Sequence, residues 1–205
     1  MKHLSALQKP RKTVATNWHT TGVYSLERGT SVTCVNCMSA NGFFVPPFLI
    51  FKRKRIKENL KTGTPRWNKI FSAEKGWMDK DTSRLWLEHF IKYVKSSKDA
   101  PVLLVLDVHI SHTRNLRATE ISTQHGVLML PLPLHCSHRM QPLDLTYFKP
   151  FSAYFNQAAN RFMRTHPGSS IQTGNITGLL AEALSQASVM GTALNSLPSY
   201  FLYKY

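Results

Sequence analysis

Acids are scarce in this chain beside its bases. Eleven Asp and Glu stand against 26 Lys and Arg in 205 residues, for a formal net charge of +15. No Asp or Glu occurs before Glu27. So lopsided a balance creates a strong field of one sign that attracts polyanions, and nucleic acid is the commonest polyanion partner. A very basic protein of ribosomal style carries the same balance, so charge alone does not choose. Cysteine is scarce too. Cys34, Cys37 and Cys136 leave one over after any pairing, which excludes a disulfide framework and predicts a reducing compartment. Long apolar runs are missing: the stretch 43–51 is broken by Pro46-Pro47 and is too short to cross a bilayer. Met1-Lys2-His3-Leu4-Ser5 has no apolar signal core. The expectation is a soluble protein that is neither secreted nor membrane-bound.

What is present is globular. A hydrophobic content of 42% with moderate Gly and Pro suits an α/β or α+β protein, and the length suits one domain. The stretch Ser31-Val32-Thr33-Cys34-Val35-Asn36-Cys37-Met38 is rich in β-favouring residues and predicts a strand. Asn41-Gly42 is a hairpin signal, and 43–51 reads as the partner strand with Pro46-Pro47 at an edge. Residues 52–68 read as a basic loop. A helix is predicted over 79–98, capped by Asp79 or Asp81, with Trp86, Leu87, Phe90, Ile91 and Val94 on one stripe. Residues 101–107 read as a buried strand, 114–124 as a helix ending near Gly126, and 127–130 as another short strand. Phe148, Phe151, Tyr154, Phe155 and Phe162 then recur at helical spacing, a stripe suited to core packing rather than base stacking. Hairpin, helix, strand, helix, strand, helix is the order of a mixed sheet flanked by helices.

Two carboxylates stand in distinctive contexts. Asp107 ends the apolar run Val102-Leu103-Leu104-Val105-Leu106 and opens Val108-His109-Ile110-Ser111-His112. Asp144 closes His138-Arg139-Met140-Gln141-Pro142-Leu143. Carboxylates held at strand tips and converging on one cleft can bind Mg²⁺ or Mn²⁺ through oxygen, the apparatus of metal-assisted phosphoryl transfer. Zinc fits less well. Cys34 and Cys37 are three apart on a strand and so face opposite ways, which makes them packing residues. The spacings among His109, His112, His135, Cys136 and His138 match no standard finger. The dense run Lys52-Arg53-Lys54-Arg55-Ile56-Lys57 suits a DNA-backbone contact or nuclear import, or else a solvated loop.

Leu106-Asp107-Val108-His109-Ile110-Ser111-His112 and Pro133-Leu134-His135-Cys136-Ser137-His138-Arg139-Met140-Gln141-Pro142-Leu143-Asp144 resemble the catalytic core of pogo, Tigger and jerky-type DDE transposases. Leu4-Ser5-Ala6-Leu7-Gln8-Lys9-Pro10, Glu27-Arg28-Gly29-Thr30, Pro46-Pro47-Phe48-Leu49-Ile50-Phe51 and Gly76-Trp77-Met78 extend the likeness across about residues 4 to 197. The resemblance implies an RNase H-like fold in which three acids hold two divalent ions. Asp107 matches the second acid and Asp144 the third, with His112 and His138 shaping their surroundings.

Departures from that pattern shape the expected activity. The family's first acid lies on the central strand just before the segment matching Leu4-Ser5-Ala6-Leu7, and here Met1-Lys2-His3 stand before it. Two carboxylates then face a site meant for two dications, so metal binding should weaken. The strand's loss should leave backbone unpaired on both neighbours, or force residues 1–16 to fill the gap. The Asn that usually follows the second acid is Val108. The helix-turn-helix region that precedes this core in the family is expected to be absent, and 198–205 depart from the pattern. The expected organisation is an incomplete core over 1–197 with a divergent tail at 198–205, a fragment or decayed copy. Expected functions are a nuclear, transposase-derived DNA-binding domain with impaired catalysis, a competent metal-dependent endonuclease whose first acid is lost only from this version of the sequence, or a domesticated non-enzymatic DNA-binding or protein-interaction module. A homodimer stays open.

Overall fold

The computed structural model describes residues 2–5, 31–53, 55, 69–74, 76–106, 115–133 and 140–195. Four strands form one sheet: β1 (Lys2–Ser5), β2 (Ser31–Met38), β3 (Phe44–Lys52) and β4 (Lys69–Ala73), in that spatial order. The first two pairings are antiparallel and the third is parallel. Helix α1 (Lys80–Val94) leads to strand β5 (Val102–Leu106), helix α2 (Leu116–Gln124) and strand β6 (Val127–Pro131). β5 and β6 pair in parallel as a second sheet. A π-helical turn (Leu143–Tyr147) runs into α3 (Phe148–Thr165), followed by α4 (Thr173–Ala187) and the short α5 (Met190–Leu194).

The expected single mixed sheet is thus split among the described residues, where no strand joins β2 to β5. Residues 2–5 pair along the outer edge of β2, from Lys2 opposite Cys34 to Ser5 opposite Ser31. Among the described strands, β1 pairs with β2 alone.

Alternation on β2 and β3 builds a core on each side of the larger sheet. Val32, Cys34, Leu49 and Phe51 pack under α3 and α4 with Phe148, Phe151, Leu180 and Ala183. Val35, Val45, Phe48 and Ile50 pack under α1 with Trp86, Leu87 and Phe90, and this cluster continues into Leu104, Ala118 and Val127. Cys34 belongs to the first cluster and Cys37 packs against the second. The two thiols do face opposite ways.

Pro46-Pro47 is not on an edge strand, because β3 lies between β2 and β4. In the register with β2, Val35 faces Phe48 and Cys37 faces Val45, so the two prolines stand opposite Asn36 alone. That is a β-bulge, the other place where a residue without an N–H is tolerated inside a sheet. β4 begins its pairing only at Phe48. The Pro46 carbonyl left out of the ladder contacts His89 Nε2 of α1 at 2.7 Å, and His89 is fully buried against Phe48 and Tyr93.

α1 starts where its cap dictates. The Asp79 carboxylate accepts from the Thr82 N–H at 2.9 Å, and the Asp79 N–H donates to Thr82 Oγ1 at 2.8 Å, a capping box. The helix ends at Lys95, which turns left-handed at φ 55°. β5, expected to be buried, is covered on one face only: Leu104 is buried while Leu103 is 58% exposed.

Candidate functional site

The topology gathers several chain ends at one end of the molecule. β5 and β6 are parallel, and α2 returns the chain between them through Gly126, whose carbonyl accepts from the Val102 N–H at 2.9 Å. The start of α2 therefore lies at the carboxyl end of β5. Asn115, buried, caps that start: its Oδ1 accepts from the Ala118 N–H at 3.3 Å while its Nδ2 donates to the Lys80 carbonyl at 2.8 Å. The second bond ties the start of α2 to the first turn of α1, and α1 itself follows the carboxyl end of β4. The carboxyl ends of β3, β4, β5 and β6 thus point the same way, as ligand-binding edges of α/β sheets do.

The basic run sits there. β3 ends at Lys52, which is exposed; Arg53 is half-buried and Arg55 exposed. The Arg53 N–H donates to the carbonyls of Phe51 at 2.9 Å and Ala73 at 3.2 Å, which pins the start of the run to the ends of β3 and β4. Asp107 follows Leu106, the last residue of β5, and lies outside the described residues, as do His112, His138, Lys54, Lys57 and the histidine group His109, His135 with Cys136.

Asp144 is described, and it stands on a helical turn rather than at a strand tip. Its N–H donates to the Gln141 carbonyl at 3.0 Å, and Leu145 donates to the same oxygen at 3.3 Å. The turn is π-helical, closed by Phe148 N–H to the Leu143 carbonyl. Pro150 accounts for the wide turn: it has no N–H for the Thr146 carbonyl, and its ring would crowd that oxygen in an α-helix. Tyr147 is buried against Phe44, Phe148 and Phe151, and its hydroxyl pairs with Ser188 Oγ at 3.3 Å. Burial drives the Tyr147 phenol well above its usual range. Thr146 Oγ1 donates to the Thr192 carbonyl at 3.0 Å. The backbone under Asp144 is held firmly while the residue itself is exposed.

These contacts tie the Asp144 turn to the hairpin end of β2 and β3. Phe44 opens β3, and Met190, two residues before Thr192, packs against Gly42. The end at which β5 delivers the chain to Asp107 is the opposite one. Among the described residues, Lys52, Arg53 and Arg55 stand at the carboxyl end of β3, and the Asp144 turn is anchored toward the hairpin end of β2 and β3. Among the described residues, no three His, Cys, Asp or Glu stand close enough to hold a metal ion. The described donors alone do not fit a dication. The thiols offer no alternative, since burial pushes Cys34 and Cys37 up to about 12 and keeps them neutral.

Two residues that sequence reading passed over matter to this frame. Asn115 carried only the general helix-start signal of an Asn before an apolar-periodic stretch. His89 carried none, because its partner is a carbonyl exposed by a bulge 43 residues away.

The chain is 30% identical over 138 residues to a Cochliobolus lunatus protein described as the MFS-type transporter clz9, a match that covers 66% of this chain and 15% of that protein. Among the described residues, no helix is long and apolar enough to cross a membrane. No solved structure matches. Residues 27–194 match the family model of the DDE superfamily endonucleases, and the chain belongs to that family.

Proposed function

We propose that this chain is a transposase-derived DDE domain of the pogo, Tigger and jerky type, RNase H-like in fold, that binds DNA through backbone charge in the nucleus. The observation that carries the reading is the placement of Lys52, Arg53 and Arg55 at the carboxyl end of β3, the end at which β5 leads to Asp107. A basic rim there meets phosphates without reading sequence, and Lys54 and Lys57 belong to the same run. Catalysis is weak in this reading, because among the described residues no cluster of acids forms at Asp144, and an Mg²⁺ or Mn²⁺ pair at Asp107 and Asp144 calls for more negative charge than two carboxylates supply. His112 and His138 flank those acids in sequence and would orient them. The arrangement is compatible with a homodimer.

A second reading, a domesticated non-enzymatic binding module, draws support from the anchoring of the Asp144 turn toward the hairpin end of β2 and β3. Two measurements separate the readings. Affinity for duplexes of unrelated sequence should fall steeply with salt, and Lys52→Ala with Arg55→Ala should flatten the log–log slope by about 1 to 2 units. A flat salt response in the unmodified chain would sink the DNA reading and favour protein interaction. Titration with Mn²⁺ should leave the melting temperature nearly unchanged. A saturable rise that disappears in Asp144→Asn would instead establish an assembled metal site and a working endonuclease.

A further inference from the structure

We infer that a second copy of this chain docks on the hairpin end of β2 and β3, an inference that deepens the homodimer of the proposed function and rests on it. Met190 is 63% exposed, Val189 49%, Phe43 46% and Leu145 42%. These four apolar residues belong to three segments that meet at this end. Phe43 stands just before β3, Val189 and Met190 begin α5, and Leu145 lies on the π-helical turn. Met190 Cγ would stand 2.9 Å from a Cβ placed on Gly42, which seats α5 against the hairpin turn. Thr146, next after Leu145, donates from Oγ1 to the Thr192 carbonyl at 3.0 Å and joins the π turn to α5. Exposed apolar residues scattered singly are ordinary, whereas a group of them marks an interaction surface.

The frame beneath these residues is held by its own hydrogen bonds. In the hairpin turn, the Ser39 N–H donates to the Phe43 carbonyl at 2.8 Å and the Gly42 N–H to the Ser39 carbonyl at 3.1 Å. The Phe43 N–H donates to Ser39 Oγ at 3.0 Å. Between α4 and α5, the Val189 N–H donates to the Ala187 carbonyl at 3.0 Å, and the Val189 carbonyl accepts from the Thr192 N–H at 3.0 Å. Covering this surface therefore removes apolar area from water without stranding those backbone groups.

Charge selects the occupant. Residues 31–51 contain no Asp, Glu, Lys or Arg, and neither do residues 183–195, although the chain as a whole carries +15. The charges next to Leu145 on its turn and in the first turn of α3 are Asp144 and Lys149, of opposite sign. A polyanion finds no row of cations here, and an acidic protein would gain little attraction. Two copies of so basic a chain repel each other over most of their surface, and least where both faces are uncharged. In a two-fold contact each face meets itself, so an uncharged apolar face is self-complementary where a basic one is not. The basic run lies at the other end of β3 and stays uncovered in such a dimer.

Sedimentation equilibrium of the full chain tests the assignment. It should show a monomer–dimer equilibrium that tightens as salt rises, because salt screens the repulsion between two basic copies. DNA binding should change with salt in the opposite sense. Met190→Lys and Met190→Glu should each weaken association by about tenfold or more. An equal mixture of the two variants should recover most of it, since opposite charges then meet across the two-fold contact. Leu128→Lys, on the open face of β5 and β6, should leave association unchanged. A dimer indifferent to Met190→Lys, one broken by Leu128→Lys, or a mixture that fails to recover overturns the assignment. So does a chain that stays monomeric at every salt concentration; if Met190→Lys then also lowers the melting temperature, the face is covered within the chain instead. A monomer that still binds duplex removes this inference and the homodimer alone. A dimer that binds no duplex overturns the DNA-binding reading and leaves this face standing.

Discussion

β3 and the β5–β6 pair are equally apolar in sequence, yet they end in opposite environments. Phe48, Leu49 and Ile50 of β3 are all 0% exposed, while Leu103 of β5 and Leu128 of β6 are 58% and 61% exposed. The difference is in what covers each face. β3 has strands on both sides and helices on both faces, α3 and α4 under Leu49 and α1 under Phe48 and Ile50. The β5–β6 pair has α1 and α2 on one face, where Leu104 and Val127 are buried. Parallel strands are usually covered on both faces, and an apolar run reports a strand's potential for burial rather than its neighbours.

The comparison can be broken at its strong end first. Phe48→Ala removes a fully buried ring that stacks on Phe71 at 4.3 Å between centroids, and should cost about 3–5 kcal/mol in urea denaturation. Next comes the joint that holds the smaller sheet to α1. Gly126 has φ +67°, and an added Cβ would overlap the Ser97 backbone carbonyl. Gly126→Ala should therefore cost about 2–4 kcal/mol, from left-handed strain and backbone displacement together. Smallest is Leu128→Ser on the open face, with an expected change within about 1 kcal/mol and improved solubility. If Leu128→Ser proves as costly as Phe48→Ala, the open face is covered in solution and the contrast between the sheets disappears.

Much of the frame was legible because its signals are local. The bounds of β2 were read correctly, and so was the hairpin at Asn41-Gly42, where Gly42 has φ +90°. The cap of α1 was legible as Asp79 or Asp81, and the capping box within four residues settles it on Asp79. The aromatic stripe from Phe148 to Phe162 falls on one side of α3, buried or partly buried in the core as its spacing implied. The opposite faces of Cys34 and Cys37 followed from strand periodicity alone.

What failed was long-range. Pro46-Pro47 looked like an edge marker and proved to be a bulge, because the register with Asn36 is a property of two strands. The π turn under Asp144 depends on Pro150 and on clamps from Ser188 and Thr192, more than 40 residues away. Of the candidate site, Asp144, Lys52, Arg53 and Arg55 fall on described residues, and Asp107, His112, His138, Lys54 and Lys57 do not. The candidate acids were legible as motif residues. Their relative placement was not, since it depends on how the β5 end and the Asp144 turn are each anchored.

The sequence by itself determined the chain's family, its charge of one sign and most of its elements, because composition, motif and periodicity are written residue by residue. Only the tertiary structure decided which apolar strand is buried, why two prolines sit inside a sheet, and that Phe43 and Met190 share the hairpin end of β2 and β3. Each of those outcomes depends on which distant segment packs alongside, and that is settled by packing and backbone hydrogen bonding across the whole fold.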